Sequence, residues 1–191
     1  MKVLTLIGDD FVQKCDNLAS LALRDFRPDV VVGVATGGKY VVEAKSSFTN
    51  FNQLIVKRQR PATKKKEKLK ILNMLKYLPK FSLNSLRSLE VYYQEKKFKN
   101  NAVKRCASDV KLISGDVSCL KKPGCKVLIV DDAVDSGNTM LDVFDFISGI
   151  NDSCDVKTAV LTTTFTNPIH NADFTLYSKI LLRCPWALDA R

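Results

Sequence analysis

Asp131-Asp132-Ala133-Val134-Asp135-Ser136-Gly137-Asn138-Thr139 gathers three carboxylates, two hydroxyls, an amide and a glycine into nine residues. A small polar turn of this kind offers free backbone N–H groups to an anion such as phosphate, and Ser136 and Thr139 add hydroxyl donors. Gly137 permits close backbone approach and a positive φ. The adjacent carboxylates of Asp131 and Asp132 would repel a phosphate. They suit the neutral hydroxyls of a sugar, or a divalent cation, lying beside it. Asp135 can close an Asx-turn that caps a following helix. A second, simpler cluster is Ala35-Thr36-Gly37-Gly38-Lys39, in which two glycines let N–H groups face an anion and Lys39 adds a positive charge.

Both clusters need elements to hold them. Val127-Leu-Ile-Val130, with three β-branched residues in four, reads as a buried parallel strand ending at the acidic pair. Beyond the turn, apolar positions 140, 141, 143, 144 and 147 fit one face of a helix, with Asn138 and Thr139 at its N-terminus, where an anion is favoured. Val30-Val-Val-Gly-Val34, the glycine turn and a helix opening at Tyr40 repeat the same arrangement. Asp9 or Asp10 caps a first helix carrying Phe11, Cys15, Leu18, Ala19 and Ala22, ended by Arg27-Pro28-Asp29. Further strands are expected at 110–114, 156–162, 174–177 and 180–182. The order predicts an α/β fold, an open and mainly parallel sheet with helices on both faces and ligands at the carboxyl ends of its strands.

The bulk composition agrees with one ordinary globular domain: 191 residues, 46% hydrophobic and 26% charged. The apolar run in Met1–Gly8 is too short for a signal peptide or membrane span. Six cysteines at 15, 106, 119, 125, 154 and 184 form no CxxC pair and no zinc spacing, which predicts reduced thiols and a cytoplasmic setting. The net charge of +10 is concentrated. Lys57 to Lys80 holds ten basic residues and one acid, a surplus of nine in 24 residues, so the rest is nearly neutral. From Lys45 to Ala107 the chain is lysine-rich and glycine-free, with helical spacing around Leu69, Leu72 and Leu75 and again around Leu83, Leu86 and Leu89. Two helices broken at Pro79 are expected there, after a loop near Pro61. The basic stretch is a solvated helical elaboration, an electrostatic funnel for a polyanion, or a non-specific nucleic-acid contact. Few aromatics interleave the lysines, which argues against base readout.

An apolar strand followed by Asp-Asp, two variable residues and Asp-Ser-Gly-Asn-Thr resembles the phosphoribosyl-pyrophosphate (PRPP) loop of type I phosphoribosyltransferases. It is most similar to the 6-oxopurine branch, the hypoxanthine- and xanthine-guanine enzymes. The resemblance implies a magnesium-dependent enzyme that moves ribose-5-phosphate from PRPP to a purine-like nitrogenous acceptor and releases pyrophosphate. It places Asp131 through Thr139 on the ribose and 5′-phosphate, and Thr36, Gly37, Gly38 and Lys39 on the pyrophosphate, with a cis peptide at or beside Ala35-Thr36. It gives Asp135 the place of a general base near the purine. Trp186 and Asn167 become acceptor-side candidates, Trp186 also being a plausible core residue, while Asp131, Asp132 and Asp189 become metal candidates. A homodimer is the family expectation. The branch's lysine after the fourth strand is missing from Thr162-Thr-Thr-Phe-Thr-Asn-Pro168, and His170 nearby reads as a surface residue. The branch's mobile loop is expected before Val110, at 92–97 or 99–105. On this reading 1–191 is one domain, 46–106 a basic, mostly helical elaboration within it, and 163–191 a C-terminal hood. The rival reading is a PRPP-sensing regulatory or nucleic-acid-binding protein that keeps the cradle with little catalysis.

Overall fold

The computed structural model describes residues 1–44, 46–59, 80–100 and 107–187. The apolar runs do form the sheet. Strands β2 (Val30–Val34), β3 (Asn52–Arg58), β4 (Val110–Ser114), β5 (Lys126–Val134), β6 (Asp155–Thr163) and β7 (Phe174–Ser178) lie in the order β4-β3-β2-β5-β6-β7. All neighbours are parallel except β3 and β4, which run antiparallel. Strand β2 is buried along its whole length, as its four valines and one glycine require.

Alternate strand residues point to opposite faces, and helices cover both. On one face α1 (Asp9–Asp25) and α2 (Gly37–Glu43) pack Phe11, Cys15, Leu18, Ala19, Ala22, Val41 and Val42 against Val31, Leu128, Val130 and Leu161. These α1 residues are the ones its apolar spacing predicted, although the helix is preceded by Gly8 rather than capped by a carboxylate. On the other face α4 (Asn138–Ser148) sets Met140, Val143 and Ile147 on Val32, Val127, Ile129 and Val160, while Phe144 stays 41% exposed. Each fully buried side chain of this size stabilises the fold by about 1.5–3 kcal/mol. Arg58 at the end of β3 donates to Asp142 of α4 at 2.5 Å, tying the sheet to that helix.

Two regions differ from the sequence expectation. Within the stretch read as a helical elaboration from 46 to 106, residues 52–58 are strand β3, a full member of the main sheet beside β2. Its Leu54-Ile55-Val56 run is short and flanked by polar residues, so the surrounding lysines masked it. Helix α3 (Lys80–Asn100) opens directly after Pro79, as expected, whereas the helix expected around 69–75 lies outside the described residues, as does the basic run between 60 and 79. In the C-terminal segment, β7 extends the main sheet. Only β8 (Ile180–Arg183) leaves it, to pair in parallel with β1 (Lys2–Thr5), so the two ends of the chain form a small separate sheet.

Among the described residues, no helix is long and apolar enough to cross a membrane. Cys15, Cys119, Cys125, Cys154 and Cys184 are free thiols. Burial pushes the Cys15 thiol up to about 12.

Candidate active site

The sheet order reverses between β2 and β5: from β2 the chain proceeds outward to β3, and from β5 outward to β6. Crevices at such switch points open outside the carboxyl ends of the strands. The Ala35–Lys39 turn follows β2 and the Asp135–Thr139 turn follows β5, so both polar clusters meet at one crevice.

Strand β5 does not stop before the acidic pair. It continues through Asp131 and Asp132 to Val134, still paired with β6. Pairing with β2 ends at Val130 instead, opposite Gly33. Asp131 therefore lies in a strand that has just lost one neighbour, and the glycine turn fills the gap. Gly38 N–H donates to Asp131 Oδ1 at 3.0 Å, and Asp132 N–H reaches the same oxygen at 2.9 Å. The contact is so close that a side chain on Gly38 would strike backbone and one on Gly37 would strike the Asp132 carboxyl. A Cβ on Gly37 would lie 2.1 Å from Asp132 Cγ, and one on Gly38 2.2 Å from Val130 O. The Ala35-Thr36 peptide is cis. Helix α2 starts at Gly37, three residues earlier than expected, because the chain turns back onto β5 at once. Lys39 leans along its own helix to Glu43, 3.6 Å away. A pair this exposed contributes little, which leaves Lys39 able to exchange partners.

Asp131 is only 8% exposed. Burial pushes its carboxyl well above the usual carboxylate range, and the neighbouring Asp132 adds to the effect. Burial raises Asp132 as well, partly opposed by hydrogen bonding from Asp131. Two buried adjacent acids favour ligands that donate hydroxyl hydrogen bonds or bring positive charge.

The second turn is built around Gly137, with φ of 86°, in the left-handed region. A Cβ there would meet the His170 backbone at 2.7 Å. Ile169 N–H also donates to Ser136 O at 2.9 Å, so the loop after β6 rests directly on this turn. Asn138 Nδ2 donates to Ser136 Oγ at 2.9 Å, fixing the turn internally, and Asn138 and Thr139 open α4 as predicted. Asp135 is exposed, and its partner is not the turn's own N–H groups but the Thr164 hydroxyl, which donates to its Oδ1. Ala133 and Val134 are the last strand residues before the turn.

The acceptor-side candidates separate. Trp186 stacks on Tyr40 with centroids 4.8 Å apart and planes at 10°, and meets Phe11 edge-on at 5.4 Å. It joins the C-terminal segment to α1 and α2, and Tyr40 occupies a ring face that a stacked base would need. Asn167 is exposed on the loop after β6. Asp189 lies outside the described residues. His170 is half-buried rather than a surface residue, with Nε2 3.3 Å from Thr158 Oγ1. Sequence reasoning missed a pocket of about 300 Å³ lined by Thr163, Phe165, Thr166, Asn171, Thr175 and Lys179, among others. Lys179 sits between β7 and β8 with φ of 57°, and its N–H donates to Thr163 O at 2.7 Å. The lysine missing after β6 in sequence thus has a neighbour in space, and only the pairing of β6 with β7 brings it there.

These paired turns are matched by the model of the phosphoribosyl transferase domain family, over residues 6–171. The chain belongs to that family. It is a phosphoribosyltransferase of type I architecture, and PRPP-dependent transfer is the activity that membership carries. No curated protein sequence matches the chain. Among solved structures it is similar to a purine phosphoribosyltransferase from Pyrococcus horikoshii, at TM-score 0.58 and 16% identity over 98% of this chain and 95% of that one. The Helicobacter pylori xanthine-guanine-hypoxanthine phosphoribosyltransferase is similar at TM-score 0.61 and 16% identity, covering 97% and 94%. A Neisseria gonorrhoeae protein with bound ppGpp gives TM-score 0.53 and 16% identity, covering 100% and 93%. At such identities the likeness is one of fold.

Proposed function

We propose that this phosphoribosyltransferase uses a purine-like nitrogenous acceptor, with Asp135 as the general base at the acceptor nitrogen. The observation that carries this is the Thr164–Asp135 hydrogen bond. An acid at this place in the PRPP turn is held by Thr164, whose chain neighbours Thr163 and Phe165 line the pocket. In this reading the N–H groups of 136–139 hold the 5′-phosphate, and Asp131 and Asp132 take the ribose hydroxyls. Gly37, Gly38 and Lys39 hold the pyrophosphate. Positive charge that develops at the anomeric carbon as the pyrophosphate departs is stabilised by the two carboxylates nearby, and preorganised positioning supplies most of the rate. Lys179, which lines the same pocket, is suited to an exocyclic oxygen of the acceptor.

Magnesium fits this donor set. Among the described residues no cluster of three His, Cys, Asp or Glu could cage a metal, but two adjacent carboxylates whose burial disfavours their charge suit an ion that takes its remaining ligands from substrate oxygens and water. Asp131 and Asp132 would hold it, and it would supply positive charge to offset that of the substrate's phosphates.

The test is pyrophosphate release from PRPP and magnesium with hypoxanthine, guanine, xanthine, adenine or orotate. Turnover with one or more purines is expected. PRPP binding without turnover on any base would overturn the reading and leave the sensor alternative, which fold likeness to a ppGpp-bound protein makes worth the comparison.

A further inference from the structure

Helix α3, supplied by the connection between β3 and β4, has two unlike faces. Ser88, Val91, Glu95 and Phe98 recur at three- and four-residue spacing and are partly buried, whereas Tyr92, Tyr93, Lys96 and Lys97 face outward. Its inner face grips the run that follows β6. Thr166 N–H donates to Glu95 Oε1 at 2.9 Å, and the Phe98 ring lies 5.5 Å from that of Phe165, tilted by 55°. Lys99, one turn along, holds Glu95 at 3.1 Å. The Glu95 side chain is only 14% exposed. The Thr166 N–H, ahead of every other influence, keeps its carboxyl below the usual carboxylate range, so it is the charged acceptor at neutral pH.

The gripped residues are those the site uses. Phe165 and Thr166 line the pocket, and Thr164 just before them holds Asp135. Strand β6 ends at Thr163, so no regular β-ladder fixes 165 and 166. The first PRPP-side turn is anchored apart from this run, at Gly38–Asp131, and the second is braced internally by Asn138 on Ser136, although Ile169, three residues beyond Thr166, also donates to Ser136 O. A side chain on the inserted helix therefore bears directly on the acceptor wall and reaches the Asp135–Thr139 turn only through neighbouring residues of the same run.

We infer that Glu95 and Phe98 are positioning residues for the acceptor: α3 clamps Thr166 and Phe165 from outside and so sets the shape of the acceptor pocket. This rests on the proposed function, because it assumes that the pocket at Thr163, Phe165 and Thr166 receives the base. Releasing the clamp loosens the acceptor wall first, while Gly38–Asp131 and Asn138–Ser136 still hold the two turns, and misplacement on the ångström scale is enough to weaken productive binding.

The experiment is steady-state kinetics of the full chain with PRPP, magnesium and the purine it turns over best, comparing Glu95→Ala, Glu95→Gln and Phe98→Ala with the wild type. Glu95→Ala should raise the acceptor KM by about tenfold while the PRPP KM stays within about twofold. Phe98→Ala should move the same constant. Glu95→Gln, whose amide oxygen can still accept from Thr166 N–H, should recover most of the lost affinity. An unchanged acceptor KM in both alanine variants, or an equal rise in both KM values, overturns the inference. A wild type that turns over no base overturns the proposed function instead, and this inference with it.

Discussion

Gly38 and Asp131, 93 residues apart, are joined by a 3.0 Å hydrogen bond from the Gly38 N–H to the carboxylate just ahead of the Asp135–Thr139 turn. The bond couples the two halves of the site. One turn cannot shift without disturbing the other, and Gly38 is needed because a Cβ there would run into the β5 backbone at Val130 and Asp131.

Substituting the glycines should separate fold from function. Gly38→Ala drives a Cβ into backbone, at 2.2 Å from Val130 O and 2.9 Å from Asp131 Cα. Neither atom can yield easily, so a loss of about 1–3 kcal/mol is expected in denaturant unfolding. Gly37→Ala meets the Asp132 carboxyl, a side chain that can rotate away. That variant should unfold near the wild-type midpoint yet bind PRPP about tenfold or more weakly.

Asp132→Asn keeps the shape and removes the charge. Calorimetric titration with PRPP and magnesium should show affinity down by more than about tenfold. Wild-type affinity in this variant would sink the assignment of the acidic pair to ribose and metal.

Asp135→Asn tests the general base. A loss of about 10²–10⁴-fold in kcat is expected, with the PRPP KM little changed, since general-base catalysis contributes on that scale. Thr164→Val should give a smaller loss in the same constant, because it frees the carboxylate without removing it. A normal kcat in Asp135→Asn would reduce that acid to a loop residue.

Stability should fall in acid partly through Asp173. Burial works against its charge, but hydrogen bonds from the Thr158 hydroxyl and N–H and from Lys157 outweigh this and hold the carboxyl below its ordinary value. A group depressed in the folded state contributes stability above its unfolded value and loses it as the pH falls through the folded one. Asp173→Asn should therefore lower the melting temperature at neutral pH and flatten its decline below about pH 4. An unchanged slope would show that the acid sensitivity arises elsewhere.

Much of this was legible in consecutive residues. The valine runs at 30–34 and 127–130 are strands because β-branched apolar residues fit a sheet buried on both faces. The α1 pattern Phe11, Cys15, Leu18, Ala19, Ala22 became one buried face. Strand β3 was hidden because three apolar residues in a lysine-rich setting carry too weak a period to be read. Strand β1 was missed for a related reason: its partner β8 lies at the other end of the chain.

The site divides along the same line. Two phosphate-type turns, an acidic pair and Asp135 are encoded locally, because a turn's chemistry depends on residues next to one another. Sequence alone determined the polar make-up of those turns and the α/β class. Tertiary structure alone decided what each group touches: Asp135 on Thr164, Trp186 on Tyr40, Lys179 beside Thr163, and Glu95 on Thr166. Each of those contacts depends on strand order and crossover. No spacing along the chain can show which distant side chain a sheet will bring into reach.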